Sequence, residues 1–445
     1  MPRRRKRDFL IRGFSKLLKE DKLKIVSELM DNQVEAMELM KSFWLSDKSK
    51  QKVFDEFSEN TLSNFYIPYG VAPNVVVNGR TYHVPVVIEE SSVVAAASSS
   101  SRFWSERGGF KARVIGVEKI GQVHFLWNGK KSKLVKVLDS LKLYLREAAM
   151  DISKNMEERG GGITDFELLD FTKKMDNYYQ LKVSFNTVDS MGANFINSCL
   201  EEFASALKEF FKTHEIFSDN ERECEIIMSI LSNYTPNNIV KAWVECDYND
   251  LNGIFNEMTG EQFARKFQMA VKIAETDIYR ATTHNKGVFN GVDAVAIATG
   301  NDFRAIEAAG HAYATKDGSY KSLTKVFLTE NKFRYELTMP MSLGTVGGLT
   351  SLHPLAKHSL EMLGNPKAKE LMMIVASVGL ASNFAAIRSL VTKGIQIGHM
   401  KMHLFNILNH VEATKDEKEK AIEHFVTHRV SHGAVKKFIQ TLREN

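Results

Sequence analysis

Four places in this sequence combine residue types and spacings that can do chemistry. Glu89 and Glu90 stand where a β-branched run gives way to the small residues of SVVAAASSSS. A carboxylate there can be partly desolvated and titrate in the range of a general acid, or it can belong to a solvated acidic pair. His284, Asn285 and Lys286 precede a glycine, with Asn290 four residues beyond the lysine and Asp302 sixteen. An ammonium among Ala, Gly and Asn is a candidate for holding developing negative charge, although one lysine settles nothing by itself. Met191-Gly192-Ala193-Asn194 follows a strand-like run and opens a helical one, a place for an anion at a helix N-terminus and equally for an ordinary structural turn. It is not GxGxxG. His399 and His403 are spaced i, i+4, but a zinc-protease pair needs Glu directly after the first His, and Met400 stands there. No Cys or third His has ligand spacing nearby, so no metal is expected.

Those groups need positioning, and the apolar pattern indicates by what. From Phe9 to about Phe57 the spacing is helical. From Asn74 to Val87, Asn78-Gly79 between two β-branched runs predicts a hairpin. Between about Lys111 and Asn233 the order is a strand in ARVIGVEKIGQVHFLW, then a long amphipathic helix stopped at Gly160-Gly161-Gly162. Strands in ITDFELLDF and YYQLKVSFNTV follow, then a helix from Met191 to about Phe211 and a strand in CEIIMSIL. That is the split βαββαβ order of ferredoxin-like domains. Asn233 to Leu390 reads as mostly helical, its Ala and Gly implying close approach of elements. The apolar run Leu371 to Ile387 is interrupted by Ser377, Ser382 and Asn383, and reads as a buried helix rather than a membrane span.

Composition narrows the function classes. The 445 residues are 44% hydrophobic and 25% charged, values of a folded globular chain with room for two or three domains. The net charge of +5 equals the charge of Arg3, Arg4, Arg5, Lys6 and Arg7, so the body is balanced, which argues against a nucleic-acid-binding face. MPRRRKRDFL lacks the apolar stretch of a signal peptide, and Cys199, Cys224 and Cys246 lack metal spacing. A cytoplasmic, reduced protein with no membrane partner is expected.

In their chain order the motifs are more specific. YGVAPNVVVNGRTYHVPVVIEESSVVAAAS, VDSMGANFINS, RATTHNKGVFNGVDAVAIATGNDFRAIEAAGHAYA, LGTVGGLTSLHPLA and GIQIGHMKMH together resemble 3-hydroxy-3-methylglutaryl-coenzyme A reductase, in its soluble class II (bacterial) form. The likeness runs from about residue 10 to 410. It implies two-step hydride reduction of the thioester to mevalonate and coenzyme A with a nicotinamide cofactor, NADPH or NADH, and no metal.

The resemblance also assigns roles. Glu90, Lys286, Asp302 and His399 match the family's catalytic groups. Lys286 would stabilise the oxyanion left by hydride attack, with Asp302 holding its ammonium. His399 would protonate the departing thiolate, and Glu90 would deliver the proton to the second alcohol. Arg280, Ser92, Asn290 and Asn383 would hold the acyl group, Arg280 through its carboxylate. Asp189, Met191, Gly192 and Asn194 match the cofactor turn. Ser153 stands where NADH-preferring relatives would carry an acid, and with Lys154 it suits a 2′-phosphate, which predicts a preference for NADPH. Ser91, Ser190 and Ser382 depart from the residues usual in the family.

The expected architecture is α+β. A large, mainly helical domain (1–111 and 233–393) would bind the coenzyme A substrate and dimerise. A ferredoxin-like insert (112–232) would bind the dinucleotide, and a helical flap (394–445) would carry His399 and close over the site. A homodimer or higher even oligomer is implied, with the active site at the interface, so that Glu90 and the cofactor turn need not share a subunit with Lys286. The rivals are the same enzyme oxidising mevalonate with NAD⁺, and an inactive acyl-coenzyme A-binding protein.

Overall fold

The computed structural model of the chain describes residues 10–392, 394 and 404–444. Three short helices open it, α1 (Lys19–Ser27), α2 (Gln33–Ser42) and α3 (Lys48–Asp55). Asn32 starts α2 by accepting from the Glu35 N–H, and Asp47 starts α3 by accepting from Ser49 and Lys50. The hairpin β1 (Tyr69–Val77) and β2 (Arg80–Val87) turns on Asn78 (φ 51°) and Gly79 (φ 86°), the left-handed pair that a two-residue turn of this hand requires. From β2 the chain passes through Glu89-Glu90 into α4 (Ser91–Ser105).

The stretch that reads as one strand up to Trp127 is two. β3 (Lys111–Val114) belongs to one four-stranded sheet and β4 (Lys119–Trp127) to another. Residues 115–118 cross between them, so the border of the insert lies there and not at 112. The insert continues with α5 (Lys131–Ala148), α6 (Met150–Glu157), β5 (Gly162–Asp170), β6 (Tyr178–Asn186), α7 (Ala193–Thr213) and β7 (Cys224–Ser232). Its antiparallel sheet has the order β5-β6-β4-β7, the ferredoxin-like arrangement expected. α7 buries Ile196, Leu200, Phe203, Leu207 and Phe210, one stripe at the helical period, against Val123, Phe125, Leu181 and Val183 of the sheet.

Beyond Asn233 the helical expectation is incomplete, because three strands lie there. β8 (Ile239–Asp247) is followed by α8 (Gly260–Thr276), α9 (Ile278–Ala298) and α10 (Phe303–Ala314), then by β9 (Thr324–Leu328) and β10 (Lys332–Pro340). With β3 they form a sheet of order β3-β8-β10-β9. The short α11 (Leu349–Leu352) and α12 (Pro354–Met362) lead to α13 (Ala368–Val391). α13 is long and apolar enough to cross a membrane, but it runs through the core, burying Leu371, Ile374, Val375, Val378, Leu380 and Phe384.

α9 and α13 touch backbone to backbone. A Cβ on Gly291 would lie 2.6 Å from the Val378 carbonyl oxygen, and one on Gly379 would lie 2.7 Å from Val292 Cγ2. This is the close approach that the Ala- and Gly-rich sequence requires. Residues 404–410 and the helices Lys415–His424 and His432–Glu444 build a separate small cluster around Leu408, Ala421 and Val435.

Candidate active site

Two clefts of about 530 Å³ each collect most of the residues singled out by sequence. The first lies where α4, α9 and α13 meet. Glu90 enters from the residue before α4, Lys286 and Asn290 from α9, and Ser92 from the first turn of α4. Lys286 Nζ lies 3.9 Å from Glu90 Oε2, and the Ser92 hydroxyl donates to Glu90 Oε1. Glu90 and Lys286 thus meet within one chain, and need no second subunit to be brought together.

Arg280 and Arg388 complete the lining. Burial pulls both guanidinium pKa values below their ordinary value, which marks cations partly withdrawn from water. Arg388 donates to Ser99 Oγ at 2.8 Å and lies against the rings of Phe103 and Phe384. Three cations and one carboxylate lining one cleft leave a surplus of positive charge, and an acyl group carrying a carboxylate suits it. Arg388, Ser99 and Thr283 escape the reading of the sequence. The one charged residue of α13 beyond its first turn is Arg388, and that is the signal that could have found the first of them.

The second cleft lies between the insert and the large domain. Ser190 to Phe195 form one wall, residues 300–304 and 344–350 the others. Gly192 has φ 87°, and a Cβ there would lie 2.4 Å from Thr187 Cγ2, so only glycine fits. The first bond of α7 runs from the Ile196 N–H to the Gly192 carbonyl at 2.9 Å. The amides of Ala193, Asn194 and Phe195 precede it, free of helical acceptors and lining the cleft. Backbone donors at a helix N-terminus behind a cradle that only glycine permits fit the diphosphate of a dinucleotide. Met191, Gly192 and Asn194 all line it, and Asn301 fixes the opposite wall by accepting from the Gly344 N–H at 2.8 Å.

Four expectations need correction. Asn383 is 1% exposed, and its amide is engaged by Tyr335 and by the His284 carbonyl, so no substrate reaches it. Ser153 is 2% exposed and donates to the Met150 carbonyl at 3.3 Å; its hydroxyl faces the core of the insert and cannot meet a 2′-phosphate, while Lys154 is exposed beside it. Asp189 does not line the cleft. Its Oδ1 accepts from the Ala368 N–H at 2.8 Å, capping α13 across the domain border. Asp302 does not hold Lys286 within the chain: it faces the second cleft, caps α10 by accepting from Arg304 and Ala305, and pairs with Arg304 at 2.9 Å. His399 lies outside the described residues. Among the described residues no group of three or more His, Cys, Asp or Glu is placed to hold a metal ion.

Comparison with known proteins shows the family and the fold. Residues 19–404 match the family model described as hydroxymethylglutaryl-coenzyme A reductase. The chain is 35% identical over 422 residues to the 3-hydroxy-3-methylglutaryl-coenzyme A reductase of Archaeoglobus fulgidus, covering 93% of this chain and 90% of that protein. It is 32% identical over 405 residues to the probable reductase of Borreliella burgdorferi, covering 91% and 89%. Among solved structures, the class II reductase of Streptococcus pneumoniae bound to NADPH in open conformations superposes with a TM-score of 0.71 at 36% identity, over 86% of this chain and all of that one. A further structure of that enzyme gives 0.72 at 34% identity over 98% of this chain and all of that one.

Proposed function

Because the chain belongs to the hydroxymethylglutaryl-coenzyme A reductase family and is an oxidoreductase of that class, we propose that its two clefts divide the reaction between them. The cleft at α4, α9 and α13 takes the acyl thioester, and the cleft at the α7 N-terminus takes the reduced dinucleotide. The observation that carries this reading is the juxtaposition of Lys286 and Glu90 in a cleft lined by Arg280 and Arg388.

Arg280 binds the acyl carboxylate, with Ser92 and Asn290 as hydrogen-bond partners for the same group. Lys286 places its ammonium at the carbonyl oxygen and stabilises the negative charge that develops there in each reduction. Glu90, in reach of the same ammonium, delivers the proton to the oxygen of the final alcohol. His399, outside the described residues, protonates the thiolate as coenzyme A leaves. When bound, the nicotinamide supplies the hydride for both steps. Met191, Gly192 and Asn194 would hold the dinucleotide, its diphosphate lying against the α7 amides.

Asp302 and Lys286 open onto different clefts of one chain, which supports a homodimer in which the dinucleotide cleft of one subunit faces the thioester cleft of the other. The outward face of α2, which buries none of its residues and exposes Val34 and Leu39, supports the same assembly. NADPH remains the favoured reductant, on the NADPH-bound relative and the exposed Lys154 ammonium beside Ser153. The test is a steady-state assay with hydroxymethylglutaryl-coenzyme A and each reduced cofactor, alongside sedimentation equilibrium. Loss of nicotinamide absorbance is expected with mevalonate and coenzyme A as products. No turnover with either cofactor overturns the reading.

A further inference from the structure

Lys119, the first residue of β4, is 7% exposed, and its ammonium lies directly under the turn that starts α7. It donates to Thr187 Oγ1 at 2.6 Å, to the Ser190 carbonyl at 2.8 Å and to the Met191 carbonyl at 2.8 Å. The Thr187 hydroxyl in turn donates to the Ser190 carbonyl at 2.7 Å. All three ammonium donors are therefore used on neutral oxygens, and among the described residues no carboxylate pairs with it.

The charged groups nearest the turn are engaged elsewhere. Glu118, just before the strand, accepts from Asn237, Asp189 on the turn caps α13, and Asp302 and Arg304 across the cleft pair with each other. A neutral donor could gather the same carbonyls. A buried cation facing the positive end of a helix dipole destabilises the free protein, and a bound anion at that helix end offsets the cost.

We propose that Lys119 is a positioning residue of the dinucleotide cleft: it draws the Ser190 and Met191 carbonyls inward so that the amides of Ala193 to Phe195 face the cofactor diphosphate, and it supplies the positive charge which that diphosphate completes. This rests on the assignment of the second cleft to the dinucleotide. Burial holds the Lys119 pKa down at about 7, so in the free protein part of the population is neutral at working pH. A diphosphate bound above the turn raises that pKa, and binding takes up protons.

The test is calorimetric titration of the full-length protein with NADH and with NADPH at pH 8, in two buffers of different ionisation enthalpy. At that pH a phosphate monoester, with its second pKa near 6, is already ionised and contributes no uptake. Wild type is expected to take up a fraction of a proton with both cofactors. Lys119→Arg, which keeps the charge at every accessible pH, is expected to bind without uptake. Lys119→Met is expected to weaken binding and raise the KM for the dinucleotide about 10- to 100-fold, the range of a lost charge-assisted hydrogen bond, with kcat and the KM for the thioester within about twofold.

Equal uptake in wild type and Lys119→Arg overturns the proposal, as does a folded Lys119→Met with unchanged dinucleotide affinity. Should Lys119→Met fail to fold, the comparison of wild type with Lys119→Arg decides alone. Gly192→Val separates the two layers of the inference. If that substitution in the cradle leaves dinucleotide affinity intact, the cleft itself has been misassigned, whatever Lys119 does.

Discussion

Asn383 on α13 donates from Nδ2 to the main-chain carbonyl of His284 on α9 at 2.6 Å, while its Oδ1 accepts the hydroxyl of Tyr335 from β10. The carbonyl it holds lies two residues before Lys286. The core strand, the core helix and the helix that carries the cation are thus tied at one buried amide. Gly287 makes room for it, since a Cβ there would sit 3.0 Å from Nδ2.

Asn383→Leu takes the Asn383 acceptor from the Tyr335 hydroxyl and the second donor from an α9 carbonyl that keeps its helical bond, and should cost roughly 1–3 kcal/mol of stability. Urea denaturation checks this. Because the turn bearing Lys286 loosens, kcat should fall while the KM for the thioester changes less. Unchanged stability with a raised KM would return Asn383 to the substrate and cancel its role in the core.

Lys286→Ala should abolish thioester reduction, with a loss in kcat of about 10²–10³-fold or more, the range seen when one oxyanion donor is removed. The Lys286 side chain is 64% exposed, so the melting transition should move little. Glu90→Gln should lower kcat for the reduction of free mevaldehyde, the step whose alcohol Glu90 protonates, while keeping the hydrogen bond from Ser92. His399→Gln should spare the reduction of free mevaldehyde, where no thiolate departs. Parallel assays with the thioester and with mevaldehyde separate these roles, and equal loss of both reactions in His399→Gln removes the thiolate assignment.

Asp302 needs two substitutions, because it does two things. Its Oδ1 caps α10, and Asn caps as well as Asp, so Asp302→Asn should keep stability within about 0.5 kcal/mol while Asp302→Ala loses about 1 kcal/mol. Both should lose activity if the carboxylate meets Lys286 across a subunit interface. Full activity in Asp302→Asn would reduce the residue to a cap.

The parts of this protein that were legible in the sequence are those whose signal is local. The Asn78-Gly79 turn, the triple glycine ending α6 and the order of the insert follow from periodicity and turn chemistry alone. β8 and β10 were not legible, although IVKAWVECD and KFRYELTMP alternate, because helical runs on either side dominate the pattern. The motifs located the site, yet they could not separate residues that touch a ligand from residues that hold those residues in place. Asp189 sits within a motif string and caps α13, and Asn383 and Ser153, assigned by the same resemblance, are buried in the core. Lys119 lies seventy residues before the turn it supports, and only the pairing of β4 with β6 brings it there.

A second titrating group gives the last prediction. Asp293 on α9 sits beside Glu307 on α10, and burial, reinforced by the Glu307 charge, pushes its pKa up to about 8. Its Oδ1 is buried without a hydrogen-bond partner. An unfolded aspartate titrates near 3.9, so between about pH 4 and pH 8 the native state keeps a proton that the unfolded state has lost. Stability contributed by this group is therefore greatest at acid pH and falls as pH rises through that window. Asp293→Asn removes the dependence. It should raise stability by about 2–4 kcal/mol at pH 7 and by less than about 1 kcal/mol at pH 4.5, at roughly 1.4 kcal/mol per pKa unit. Denaturant midpoints for both proteins at the two pH values decide it. An equal gain at both would assign the effect to packing instead of to the proton.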